Sequence, residues 1–151
     1  MLKKTTILLI LCFLFSCGYQ PLYLKNNDLR DRISSVKLEG DKKINRTIIS
    51  FLNLKENKDI KIGNELTLSS KKKIEVVSKD KAGDPSTFRS TLMVNVSLND
   101  NKDKTIKQKK FSASFSYNTV QNKFELSQYQ KNVELNLIDE ISEKIFIYLK
   151  S

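Results

Sequence analysis

The sequence predicts an α+β fold, a two-layer sandwich with two helices packed on a mostly antiparallel four-stranded sheet. Three observations lead there. Between residues 65 and 117 apolar and polar side chains alternate in three runs separated by two short turns. One short and one long segment instead repeat apolar residues every three or four positions, the period of a helix. The order of these pieces is strand, helix, three strands, helix, and one face of such a sheet needs the helices to cover it.

Ile33, Val36 and Leu38 form the first strand, which Gly40 closes. Asp41 is an N-cap residue, and Ile44, Ile48, Phe51 and Leu52 follow at helical spacing, giving about three turns. A helix that short is not stable alone and must pack on something. In the second strand Leu66, Leu68, Ile74 and Val76 share one parity and are expected to be buried, while Lys71, Lys73, Glu75 and Lys79 share the other. Ala82-Gly83-Asp84-Pro85 is the strongest turn signal in the chain. Leu92, Val94, Val96 and Leu98 make the clearest strand, Asn99 to Asp103 a polar turn, and Phe111, Ala113, Phe115 and Tyr117 a fourth strand. Ile106 is out of phase with that last set, which predicts a bulge or a late strand start. Lys123 to Lys150 is one long helix with a stripe of Leu126, Tyr129, Val133, Leu137, Ile141 and Ile145, widened by Ile138 and Leu149. Gln128, Lys131, Glu134, Asp139, Glu143 and Lys144 fall off the stripe, and Asn122 with Glu125 marks the start.

The amino terminus is of another kind. Lys3 and Lys4 precede an apolar run from Ile7 to Phe15, with Ser16 and Cys17 after it, the parts of an export signal. The nine-residue run is far shorter than the roughly 20 residues a spanning helix needs. The expected organisation is a signal over 1–16, a lipidated tether over 17–31 that includes Pro21, and a single α+β domain over 32–151. Cys12 leaves with the signal, so the mature chain has no disulfide.

Composition narrows the chemistry. The 151 residues hold 27 Lys and Arg against 17 Asp and Glu, a net charge of +10, with no His, no Trp and two Cys. A Ser/His/Asp hydrolase cannot be built from this chain, and most transition-metal sites lose their usual ligands. No cofactor, metal site or catalytic residue is expected. Glu65, Glu75, Asp80 and Asp84 could in principle serve a carboxylate-based glycosidase, but they fall at hairpin and turn positions and no Trp is present to stack a sugar. The basic residues are 23 Lys and only 4 Arg, which disfavours nucleic acid, where Arg forks and stacked aromatics do most of the recognition. Without Lys3 and Lys4 the charge is +8, with +9 over 17–122 and −1 over 123–151. Lys71, Lys72, Lys73, Lys79, Lys81 and Arg89 flank one hairpin, and Lys102, Lys104, Lys107, Lys109 and Lys110 the next. Two readings stand: a solvated edge that resists strand addition, or an anionic partner met by the hairpin ends and not by the helical layer.

Leu14-Phe15-Ser16-Cys17 resembles the bacterial lipobox, and Cys17-Gly18-Tyr19-Gln20-Pro21-Leu22-Tyr23 resembles the start of the alphaproteobacterial LPS-assembly lipoproteins, the LptE family. The likeness extends to the order of elements, to Val94-Asn95 in the third strand, and to Phe115-Ser116-Tyr117-Asn118 running into Lys123-Phe124-Glu125-Leu126. The resemblance implies lipid attachment at Cys17. Its thiol would take a diacylglyceryl group, and two or three acyl chains hold a membrane where one is marginal. It also implies an outer-membrane location on the periplasmic side, to which Gly18 in place of an inner-membrane-retaining Asp is favourable. The implied role is non-catalytic: a plug and assembly partner of the LptD β-barrel translocon that assists lipopolysaccharide insertion into the outer leaflet. Lys79, Lys81 and Arg89 are the candidates for contact with lipid A phosphates. The alternative is a lipoprotein accessory of an inner-membrane transporter or lipid-trafficking system.

Overall fold

The structure, a computed structural model, describes residue 29 and residues 32–55, 63–102 and 104–151. The expected signal, Cys17 and all of the expected tether except Leu29 lie outside the described residues. Leu29 itself is 1% exposed and belongs to the core.

The first strand, β1 (Ile33–Gly40), leads into helix α1 (Lys42–Phe51), then strands β2 (Asn64–Lys79), β3 (Pro85–Asn99) and β4 (Thr105–Asn118), and finally helix α2 (Lys123–Lys150). The sheet order is β1-β2-β3-β4. The first pair is parallel and the other two antiparallel, so the sandwich is the mostly antiparallel one that the alternation predicts. Both predicted helix starts carry their caps: the Asp41 carboxylate accepts from Lys43 N and Ile44 N, and the Asn122 side chain from Phe124 N and Glu125 N.

The β1–α1 corner is locked on β2. Gly40 has φ +73°, and a Cβ there would lie 2.2 Å from the Ser70 carbonyl oxygen, so only glycine fits. Asp41 N donates to that same carbonyl, and Ser70 Oγ donates back to the Asp41 carbonyl. One turn into α1 the buried Asn45 amide donates to the Glu39 and Leu68 carbonyls, tying the helix to both strands of the parallel pair. Val36, Leu66, Leu68, Leu92, Val94 and Val96 form the sheet side of the core, and Ile44 and Ile48 of α1 with Val133, Leu137, Ile141 and Ile145 of α2 close it from the helical layer. The predicted irregularity at Ile106 is a bulge: Thr105 pairs with Asn99 and Lys107 with Leu98, which leaves Ile106 unpaired between them.

Three expectations change. β1 pairs with β2 only as far as Gly40 and Ser70, so the distal half of β2 runs past its neighbour. Ile74 and Val76 lie on the helix-facing side but are 42% and 45% exposed, because neither β1 nor α1 extends over them. A second bulge at Val77 then shifts the register, which ends the simple parity that placed Lys79 with Lys71 and Lys73. Glu134, off the apolar stripe by sequence, is 8% exposed, and its carboxylate accepts from Lys72 of β2 and, at 3.4 Å, from Lys43 of α1. A buried carboxylate is tolerated there because cations from two other elements converge on it.

Candidate functional site

Both hairpin turns use the same device. Asp80 Oδ1 accepts from Ala82 N and Asp84 N, each at 2.9 Å, while Asp80 N donates to the Asp84 carbonyl. Asp100 Oδ1 likewise accepts from Lys102 N and Lys104 N, with Asp100 N on the Lys104 carbonyl. Each aspartate thus substitutes its side chain for the missing ladder and fixes the loop. In the first turn Gly83 takes φ +90°. Lys79 and Lys81 flank Asp80 and are exposed, so this turn presents two ammonium groups on a rigid tip.

Arg89 does not join them. It pairs with Glu75 and Ser116, whereas Lys79 pairs with Pro85. The register therefore sets Arg89 roughly 10–13 Å down the hairpin from the tip, at about 3.3 Å per residue. It lies on the face away from the helices, where its Nε donates to Ser116 Oγ at 3.2 Å. Its opposite number Glu75 is already bonded to Lys73 at 2.6 Å. The three predicted residues form a string along one hairpin and not a cluster.

The two basic hairpins are also kept apart. The β2–β3 turn lies at one end of β3 and the β3–β4 turn at the other, about 50 Å along a 15-residue strand. A single small anion cannot meet both. At the second end Lys107 and Lys109 fold back on aromatic faces, Lys107 5.6 Å from the Tyr148 ring and Lys109 5.4 and 5.3 Å from the Phe111 and Tyr148 rings.

At the first end an apolar patch lies beside the string of cations. Val76, Phe88 and Tyr117 form one cross-strand row, and Ile74, Ser90 and Phe115 the next. Phe88 stacks on Tyr117 at 5.9 Å, and Tyr129 of α2 meets Tyr117 edge-on at 5.5 Å. Burial pushes the Tyr117 phenol above its usual range, with the Gln130 amide and the Lys72 charge acting in the other direction. Ile74, Val76 and, on β4, Phe115 stay half-exposed, so apolar surface and Lys71, Lys73, Lys79 and Lys81 lie close together where the β2–β3 hairpin runs past β1. Alternation by itself signals a buried stripe here; only the early end of β1 reveals that it is uncovered.

Positive charge is also present in the helical layer. Lys42, Lys43 and Arg46 of α1 line an open groove with Asp139 of α2, so the basic excess is not confined to the hairpins. Among the described residues no group of three or more His, Cys, Asp or Glu side chains is placed to hold a metal ion, and no helix is long and apolar enough to cross a membrane.

The sequence matches no protein-family profile, and no curated protein matches it. Solved structures do resemble the fold. The chain is similar to rare lipoprotein B from Shewanella oneidensis, at 11% identity and a TM-score of 0.59, over 77% of this chain and 93% of that one. A putative lipoprotein from Caulobacter crescentus is 16% identical with a TM-score of 0.56, over 83% and 95%. A minor lipoprotein from Acinetobacter baumannii is 15% identical with a TM-score of 0.61, over 76% and 87%. At these identities the likeness is one of fold.

Proposed function

We propose that this protein is an outer-membrane lipoprotein, tethered through Cys17, that acts as plug and assembly partner of an LptD-like β-barrel and assists lipopolysaccharide insertion into the outer leaflet. The observation that carries the reading is the coincidence of a Leu-Phe-Ser-Cys signal ending at Cys17 with a fold shared by several solved lipoproteins. Either alone is weaker, since signals of this kind precede many folds and two-layer α+β sandwiches serve many functions.

Two features of the surface support it. The sheet face away from the helices is polar, with Thr67, Ser69, Asn95, Ser97, Ser112 and Ser114 at its centre and Lys71, Lys73, Arg89 and Lys110 among them. A polar face of that kind suits the wet interior of a large barrel better than it suits lipid. The β2–β3 hairpin, where it runs past β1, offers ammonium groups beside uncovered apolar side chains, the pairing an amphiphile with phosphates and acyl chains requires. Lys79 and Lys81 would meet one anionic group at the tip and Arg89 a second, farther along. The role is one of holding and guiding, without catalysis.

The test is co-purification of the full chain in mild detergent. A large outer-membrane barrel should accompany it, and recovery as a lone monomer would overturn the reading. Membrane fractionation checks the location, since an accessory of an inner-membrane transporter would separate with that membrane. Cys17→Ser should release the protein from membranes in cells lacking the barrel. The Lys79→Glu, Lys81→Glu, Arg89→Glu triple variant should weaken lipopolysaccharide binding by about tenfold or more with the fold intact, and unchanged binding would remove the hairpin from the site.

A further inference from the structure

We infer that the trough between the free edge of β4 and helix α2 accepts an extended peptide as a fifth strand, with an acidic side chain at one end and an apolar side chain four residues away. This inference is independent of the function proposed above, since it concerns the outer edge of β4 and not the tip of the β2–β3 hairpin.

β4 ends the strand order, and among the described residues no strand pairs with its outer side. Its outward N–H and C=O groups therefore form an open template. Open edges in folded proteins are usually guarded by charge, and the first part of β4 is, by Lys107, Lys109 and Lys110. From Phe111 to Asn118 the strand contains no charged residue and no proline, so nothing in it opposes strand addition.

α2 runs alongside this edge and makes two depressions with it. The first is lined by Lys109, Lys110, Phe111, Lys144, Ile147 and Tyr148. The second, about 140 Å³, is lined by Phe115, Tyr129, Val133 and Leu137, with Asn132, Asn136 and Glu140 at its polar side, an acidic rim that favours an uncharged occupant. The helix-facing residues of β4 step Phe111, Ala113, Phe115, so the depressions centre four residues apart and the small Ala113 lies between them. An added strand projects alternate side chains toward the helix. Its residues i and i+4 would fall into the two depressions in turn, the geometry by which edge-strand and helix grooves read peptides.

Charge chooses the occupant. Lys109 is held over the Phe111 and Tyr148 rings at 5.4 and 5.3 Å, beside Lys110. Lys144 is shared with Glu140 at 2.6 Å, so Lys109 carries the attraction on the helix side, and Lys110, paired with Asn95 on the other face, adds its charge at the strand edge. An acidic side chain matches the first depression. The second offers two half-exposed aromatic rings over Val133 and Leu137, a place for a Leu-sized group.

Two blocked hexapeptides test this against the full chain in detergent by fluorescence anisotropy: acetyl-Asp-Thr-Val-Thr-Leu-Thr-amide, and the same residues in reverse order. One of the two should bind, and replacing its Asp by Lys should weaken it by about tenfold. N-methylation of alternate peptide nitrogens should abolish binding for one alternate set and spare the other, a signature that side-chain contact alone would not produce. The Lys109→Glu, Lys110→Glu variant should repeat the loss, and peptide chemistry keeps the test valid even if that variant folds poorly. The inference is overturned if neither peptide binds at about 1 mM, or if both methylated sets bind like the parent. It is equally overturned if the peptides fail while phosphatidylglycerol vesicles bind in a manner dependent on Lys109 and Lys110, which would assign the trough to a lipid surface.

Discussion

Two unpaired stretches of the sheet, the overhang of β2 past β1 and the outer edge of β4, are built on opposite plans. Beyond Ser70, β2 has no neighbour on its β1 side among the described residues, and this overhang carries Lys71, Lys72, Lys73 and Lys79 in nine residues. The edge of β4 from Phe111 to Asn118 is one residue shorter and carries no charge. A strand that is exposed and lysine-rich repels another strand, whereas one that is exposed and uncharged admits it. The sheet is thus closed to strand addition where β2 overhangs β1 and open along this part of β4. The lysines of β2 have a local reason to exist apart from any ligand, so binding data must separate the tip residues Lys79 and Lys81 from Lys71 and Lys73.

The largest effect should come from the residue that creates the β2 overhang. Gly40→Ala forces a side chain against the Ser70 carbonyl in a backbone region disfavoured for alanine, and should cost about 3 kcal/mol or more by urea denaturation. A loss under about 1 kcal/mol would mean that β1 ends there for another reason. Next is the charge that joins the layers. Glu134→Leu leaves the partly buried Lys72 without its carboxylate and should cost about 1–3 kcal/mol. Adding Lys72→Met should recover much of that, and a double variant no more stable than the single would show that the contact with Lys43 dominates.

A third expectation concerns alkaline pH. The Tyr117 phenol has its folded-state pKa raised above the unfolded value of about 10. Its stabilising contribution is therefore complete below pH 10 and is lost as pH rises through the folded value, because the unfolded chain ionises first. Tyr117→Phe should flatten the stability profile above pH 10 while changing stability at pH 7 by less than about 1 kcal/mol. An unaltered alkaline slope would assign the loss to other groups. The smallest change in stability, within about 0.5 kcal/mol, is expected for Lys71→Thr with Lys73→Thr. Self-association measured by light scattering should nonetheless rise. Ser114→Lys in β4 should lower it, and the reverse ranking would break the contrast between the edges.

Most of the fold was legible because its signals are local. Asp41 and Asn122 announce both helices, and the α2 stripe and the Leu92 to Leu98 alternation name their buried faces. What was not legible depends on where neighbouring elements stop. Leu66, Leu68, Ile74 and Val76 read as one buried stripe because parity reports which face a residue is on, not whether anything covers it. Glu134 reads as solvated because its partners Lys43 and Lys72 lie 91 and 62 positions away in the chain. Lys79, Lys81 and Arg89 are neighbours in sequence, but hairpin register places the last of them well below the tip. The proposal of lipid attachment at Cys17 rests on the signal pattern alone, since Cys17 is outside the described residues.

The parallel start of β1 gives the molecule a polarity. Ile33 pairs with Asn64, at the end of the sheet that also holds the β3–β4 turn, so the chain enters the fold there. The Lys79–Lys81 tip is at the other extreme of β3. A group bound at that tip is carried about 50 Å from the point of entry, farther than the roughly 30 Å depth of a bilayer's hydrocarbon core. The body of the fold is therefore a rigid spacer between Ile33 and the Lys79–Lys81 tip.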